Sequence, residues 1–126
     1  MIRPWTADEL EAFGGPDEIR ISSLRPDGSP RTPITIWIAR LGDELYVRSA
    51  HGPDNGWYRR ARASGAGTIT AGRRTAEVQF EDADPAVAEP LHAAYHAKYD
   101  RYGANIVGTV VSEDAAGATF RLVPAG

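Results

Sequence analysis

Thr32-Pro33-Ile34-Thr35-Ile36-Trp37-Ile38-Ala39-Arg40, followed by Leu41-Gly42-Asp43-Glu44-Leu45-Tyr46-Val47-Arg48-Ser49-Ala50, is the stretch on which the fold turns. Over residues 32–40, Ile34, Ile36 and Ile38 fall on one face of an extended chain and Thr35, Trp37 and Ala39 on the other. Both faces are largely apolar, so this strand is expected to be covered on both sides. Gly42-Asp43 turns the chain, and residues 45–50 alternate again, with Leu45, Val47 and Ser49 opposing Tyr46 and Arg48.

The pattern continues in both directions. Residues 19–24 read as a strand that Arg25-Pro26-Asp27-Gly28-Ser29, a strong turn signal, connects to the central one. Residues 67–71 and 75–81 read as two more, the second with Ala76, Val78 and Phe80 inward and Glu77, Gln79 and Glu81 outward. Residues 106–111 and 118–123 read as two closing strands. Thr6-Ala7-Asp8-Glu9 is a capping box for a short N-terminal helix that Gly14-Gly15 ends. Asn55 caps a short helix near 56–63, and Asp84-Pro85 opens a longer one near 85–102 with Pro90 in its second turn. The whole predicts one mainly β domain over residues 1–126. Its architecture is a split antiparallel β-barrel of about six to seven strands with helical additions, because an open sheet would leave long edges unprotected.

Composition narrows the function. The formal net charge is −3, which disfavours nucleic acid and anionic membrane as partners. There is no cysteine, hence no disulfide, thiolate metal site or thiol nucleophile. The N-terminal residues lack the pattern of a secretory leader, and no run approaches the ~18 apolar residues of a membrane span. A cytoplasmic location is the expectation.

Against that acidic background, six arginines and a single acid, Asp54, lie between Arg48 and Arg74, an excess of about +5. Guanidinium groups bind phosphate and carboxylate as planar, bidentate donors, and a helix beginning near Gly56 adds free N–H groups just after Arg48-Ser49. Arg48, Arg59 and Arg60 are therefore candidate anion ligands. Arg62, Arg73 and Arg74 read more simply as surface and hairpin turn. Trp37 and Trp57 have the shape to stack on a planar ring, or to anchor a core or an interface. His51, in a Gly/Pro loop, and Tyr58 are candidate proton donors, although a helix-start tyrosine reads more simply as a packed ring with a polar tip. Glu89, His92 and His96 share a helix face; the two histidines could chelate a metal, but no third ligand is apparent and no metal site is expected. Tyr95, Tyr99 and Tyr102 recur at helical spacing, as a core stripe or as the wall of a barrel mouth.

The run from Arg25 to Pro33, the strand after it, Leu45-Tyr46-Val47-Arg48-Ser49 and Trp57-Tyr58-Arg59-Arg60 together resemble the flavin-binding split barrel superfamily. The similarity extends to its pyridoxamine-phosphate-oxidase-like and deazaflavin-dependent nitroreductase-like groups, in an uncharacterised, domain-of-unknown-function branch. It covers residues 19–81 most clearly. The Gly-Arg-Lys-Ser-Gly turn of the deazaflavin group is replaced here by Arg25–Ser29, and the usual helix lysine by arginine. The resemblance implies a homodimer with sites at the subunit seam. It implies that Thr35, Ile36 and Trp37 face a ring, that Arg48, Ser49 and Ala50 follow the ribityl chain and phosphate, and that Trp57, Tyr58, Arg59 and Arg60 close the phosphate end. The implied cofactor is a deazaflavin (coenzyme F-420) or FMN. The implied activity is hydride transfer to a small organic substrate, with Tyr58 or His51 giving the proton. Two other readings stay open: a cofactor-free small-molecule-binding protein, and a cofactor-independent isomerase or hydrolase on the same barrel.

Overall fold

The computed structural model describes residues 4–50 and 52–125. Helix α1 (Ala7–Gly14) is followed by strands β1 (Glu18–Ser23), β2 (Ile34–Trp37), β3 (Ala39–Leu41) and β4 (Glu44–Arg48). Then come α2 (Gly56–Ser64), β5 (Ala66–Ala71), β6 (Arg74–Asp82), α3 (Ala88–Tyr99), the short α4 (Ala104–Val107) and α5 (Glu113–Ala116), and β7 (Thr119–Pro124). The strands form one antiparallel sheet in the order β2-β1-β5-β6-β7-β4-β3. Its two edge strands, β2 and β3, are consecutive in sequence and separated by Ile38 alone. The sheet therefore curls until its edges are joined by the chain itself, a nearly closed barrel that leaves little free edge.

Alternation does what period-2 patterning demands. Ile19, Ile21, Ile36, Leu45, Val47, Ile69, Val78, Phe80, Phe120 and Leu122 fill the barrel. The capping box of α1 forms as its residues dictate: Thr6 Oγ1 accepts from the Glu9 N–H at 3.1 Å and Glu9 Oε1 from the Thr6 N–H at 2.9 Å. Leu10 and Phe13 of α1 and Tyr58 and Ala61 of α2 complete this interior. A second apolar layer lies outside the barrel, where Leu91, Tyr95 and Tyr99 of α3, with Val107 and Val110, cover Ala39 and Tyr46. Of the two readings of the tyrosine stripe, core holds for Tyr95 and Tyr99, while Tyr102 is exposed.

Two expectations are corrected. Residues 106–111 are not a strand: α4 and the turns after it put Val107 and Val110, one helical turn apart, beneath α3. Both flanks of β4 are already paired, with β3 and β7. Residues 32–40 are not one strand either, since the ladder breaks at Ile38. The helix expected near 85–102 is present as α3 flanked by 3-10 turns at Pro85–Val87 and Asp100–Tyr102. Pro90 sits in the first turn of α3, where its missing N–H removes no helical bond.

The break at Ile38 is sealed from α3. The Ile38 N–H donates to Tyr99 Oη at 3.1 Å. Lys98 Nζ donates to the carbonyls of Ile38 (2.8 Å) and Gly14 (2.9 Å). Tyr99 Oη lies 2.9 Å from the Ile38 carbonyl and 2.5 Å from that of Asp17, its one proton serving either. Burial lowers the Lys98 pKa to about 8 and raises that of Tyr99.

Two tests follow from this packing. A Cβ at Gly67, where β1 and β5 pair, would lie 2.1 Å from the Ser22 carbonyl oxygen, so the backbones approach closely only because residue 67 has no side chain. Gly67→Ala should lose about 3 kcal/mol of stability or more in urea unfolding, and an unchanged midpoint would contradict the packing. Lys98 ionises near pH 8 folded and at its ordinary 10.5 unfolded, so between those values the unfolded chain binds more protons. Unfolding free energy should rise with pH between about 8 and about 9, below the range where the tyrosines of the unfolded chain ionise, and Lys98→Met should flatten that slope; an equal slope in both proteins would rule out a depressed lysine.

Candidate functional site

The turn between β1 and β2 is held in one shape by its own side chains. Asp27 Oδ1 accepts from the Ser29 N–H at 2.9 Å and its hydroxyl at 2.6 Å, which together hold the carboxyl below its usual pKa. Arg25 Nη1 donates to the Pro30 carbonyl at 2.5 Å, and the Ser22 hydroxyl to the Arg31 carbonyl at 2.5 Å. The acid of this turn is thus spent inside it, and Arg25 and Arg31 face outward toward α2. On α2, Gly56, Arg59, Arg60, Ala63 and Ser64 recur at helical spacing on the facing side. The small residues leave a cleft of about 400 Å³ between Arg25 and Arg31 on one wall and Arg59 and Arg60 on the other.

None of these four arginines forms an ion pair among the described residues. Arg60 folds back on the first turn of its own helix: a Cβ at Gly56 would lie 2.8 Å from Arg60 Nη1. The N-cap, Asn55, makes no side-chain cap bond, so the first N–H groups of α2 add their partial positive charge to the same place. Arg31 Nε is buried without a hydrogen-bond partner. Four guanidiniums with no protein counter-ion, one carrying an unsatisfied buried donor, suit an anionic ligand group.

A second cleft of about 310 Å³ is apolar. Ile34, Ile36 and Trp37 of β2 line one side, Trp57 of α2 another, and Ile106 and Val110 a third. Thr35, Ala50, Asn55 and Thr109 supply a few polar atoms, and Arg48 reaches its wall. Trp37 is fixed by stacking on Tyr99, with ring centroids 4.0 Å apart and planes within 1°. A small cavity of about 30 Å³ lies between the two clefts, sharing Ile34 and Trp57 with the apolar one and Arg31 and Arg60 with the charged one. The apolar and cationic clefts are thus neighbours, one on each side of Ile34, Trp57, Arg31 and Arg60.

Arg48 differs from the other arginines. It is 2% exposed. Its Nε donates to Thr119 Oγ1 at 3.1 Å, Nη1 to the Val110 carbonyl at 2.9 Å and to His92 Nδ1 at 2.8 Å, and Nη2 to the Ala88 carbonyl at 3.3 Å. Arginine is always a donor, so His92 is neutral with its proton on Nε2. Burial and the adjacent guanidinium both hold the His92 pKa below its ordinary value.

The structure brings Thr35, Ile36, Trp37, Arg48, Ala50 and Trp57 to the apolar cleft, and Arg59 and Arg60 to the charged one. Ser49 reaches neither: it is buried, and its hydroxyl donates to the Gly52 carbonyl at 2.7 Å. Tyr58 is also away from the groove, its ring stacked on Phe120 at 4.7 Å and its hydroxyl accepting from Arg62 at 3.0 Å. His51 lies outside the described residues. Sequence reasoning missed Arg25, which it read as part of a turn, Arg31, which it read only within the run resembling a known family, and Ile106, Thr109 and Val110, which it placed in a strand. No local signal marks the two arginines, because only the pairing of β1 with β2 brings them opposite α2.

Residues 9–122 match the family described as "Uncharacterized protein conserved in bacteria (DUF2255)". No curated protein matches the chain. Among solved structures it is similar to an F420 reductase, at 20% identity and a TM-score of 0.57 over 93% of both chains. It is similar to a FAD-binding protein from Mesorhizobium loti, at 15% identity and a TM-score of 0.61 over 100% of this chain and 94% of that one. It is similar to the heme storage protein HutZ from Vibrio cholerae, at 15% identity and a TM-score of 0.59 over 95% and 90%. At such identities the likeness shows the fold alone. With nearly its whole length matched, the chain belongs to the DUF2255 family.

Proposed function

We propose that this protein is a split-barrel oxidoreductase that holds a flavin-type coenzyme, either a deazaflavin of the F420 kind or FMN, and reduces or oxidises a small organic molecule. The observation that carries this reading is the adjacency of two clefts: an apolar one between Trp37 and Trp57 lies beside one lined by Arg25, Arg31, Arg59 and Arg60, with Ile34, Trp57, Arg31 and Arg60 around the small cavity between them. A ring bearing an anionic tail fits that division of chemistry. An F420 reductase and a FAD-binding protein among its structural neighbours support it.

When bound, such a coenzyme supplies the hydride chemistry. The chain's own residues bind and orient. Trp37, held by Tyr99, and Trp57 set the plane and position of a ring and keep water from it. Thr35 and Asn55 offer hydrogen bonds to ring heteroatoms. Arg31 and Arg60, which belong to both the small cavity and the charged cleft, take the nearest anionic group, and Arg25 and Arg59 the outer ones. Four guanidiniums suit a tail with more than one anionic group. His51 follows Ala50, which lines the ring cleft, and we keep it as the candidate proton donor; the position of Tyr58 gives that role no support. The protein is proposed to act as a homodimer in the cytoplasm. No helix among the described residues is long and apolar enough to cross a membrane.

Titration of the purified protein with F420 and with FMN, followed by ring fluorescence and by calorimetry, tests the assignment. Arg60→Ala and Arg31→Ala should each weaken the tighter coenzyme about tenfold or more, and the affinity should fall as salt is raised. Arg73→Ala, in the β5–β6 turn, should leave it unchanged. Failure of both coenzymes to bind at high micromolar concentration would move the assignment to a cofactor-free protein. In sedimentation, a single monomeric species at micromolar concentration would refute the dimer.

A further inference from the structure

The arginine that reaches the ring cleft is not one of those that line the tail cleft, and its surroundings impose a separate requirement. Arg48 is almost wholly buried, and every group it touches is neutral: the Thr119 hydroxyl, the carbonyls of Val110 and Ala88, His92 Nδ1, and the ring of Tyr95 with its centroid 5.4 Å from the guanidinium carbon. No carboxylate pairs with it among the described residues. Of the acids on the neighbouring strands, Glu44 and Glu81 pair with Arg121 and Asp82 with Arg62. The guanidinium does not give up its proton at any pH the fold survives. Four of its five N–H groups are held by fixed acceptors, which prevents it from swinging out to water and leaves one Nη2 N–H without an assigned acceptor.

A lone charge in this setting is unfavourable until an anion comes beside it. The low dielectric that makes it unfavourable also makes the eventual pairing strong, and burial protects that pairing from salt. Thr35, Asn55 and Thr109 are the other polar contributors to the cleft, and none carries charge. The counter-ion is therefore left to the ligand.

We propose that the cleft between Trp37 and Trp57 selects planar ligands that carry negative charge on the ring itself, as an aromatic carboxylate, a phenolate or a deprotonated ring nitrogen does, with Arg48 as the group that pairs with it. This rests on the assignment of that cleft as the ring site. It adds a charge requirement that the four tail-cleft arginines do not create. His92 acts as a positioning residue, its Nδ1 holding one edge of the guanidinium.

Two probes of the same shape separate the charge from the ring: naphthalene-2-carboxylate and naphthalene-2-carboxamide, each titrated calorimetrically into the full chain. The carboxylate should bind the wild type about tenfold tighter or more. That ratio should fall to about one in Arg48→Gln and persist in the double variant Arg59→Ala/Arg60→Ala. A ratio near one in the wild type, no binding of either probe, a preference that survives in Arg48→Gln, or one lost in the double variant would each overturn the proposal. Should Arg48→Gln fail to fold, the wild type at about 0.05 M and about 0.5 M salt decides, since exposed arginines lose their preference through screening and a buried one keeps it. A carboxylate preference that holds while neither coenzyme binds would remove the coenzyme assignment alone.

Discussion

The rest of the molecule depends on how one residue is accommodated where the barrel closes. At Ile38 the chain leaves one edge of the sheet and enters the other, so neither the N–H nor the carbonyl of Ile38 has a ladder partner. Both are buried, and buried backbone groups without partners cost about 1–3 kcal/mol each. The Tyr99 hydroxyl and the Lys98 ammonium supply the partners, which pins α3 across the seam. The same Tyr99 ring stacks on Trp37, so closing the barrel also sets one wall of the apolar cleft. Fold and site share a single anchor.

The charges on this chain divide by burial. Arg25, Arg31, Arg59 and Arg60 stand around an open cleft and owe their convergence to the pairing of β1 with β2 and to the docking of α2 beside β1. Arg48, on β4, is caged by neutral acceptors from β7, α3 and the turns after α4. The first group is screened and suits a flexible anionic tail; the second is fixed and unscreened and suits a charge placed on a rigid ring. A chain of net charge −3 thus gathers arginines around two neighbouring clefts.

Much of the barrel was legible because alternation is a local property. Val78 and Phe80 inward, Glu77 and Gln79 outward, can be read from residues 75–81 alone, and so can the Thr6–Glu9 capping box. The errors come from non-local facts. Residues 106–111 are rich in β-branched side chains, yet the edges beside β4 are taken, and Val107 and Val110 gain more by burial under α3. The break at Ile38 has no local mark, because the signal for it is a tyrosine and a lysine some 60 residues away. For the site, Trp37, Trp57, Arg59 and Arg60 could be named from composition and resemblance. Arg25 and Arg31 could not, since only sheet pairing brings them opposite α2. Arg48 could be singled out as special, but its cage of neutral acceptors is visible only in three dimensions.

The most direct measurement is a crystal structure of the protein grown with F420 and, separately, with FMN. The expected result is a ring between Trp37 and Trp57 and a tail lying along Ile34 to within hydrogen-bond distance of Arg31 and Arg60. Density for the ring in any other place, or a tail that points away from those two arginines into solvent, would contradict the account.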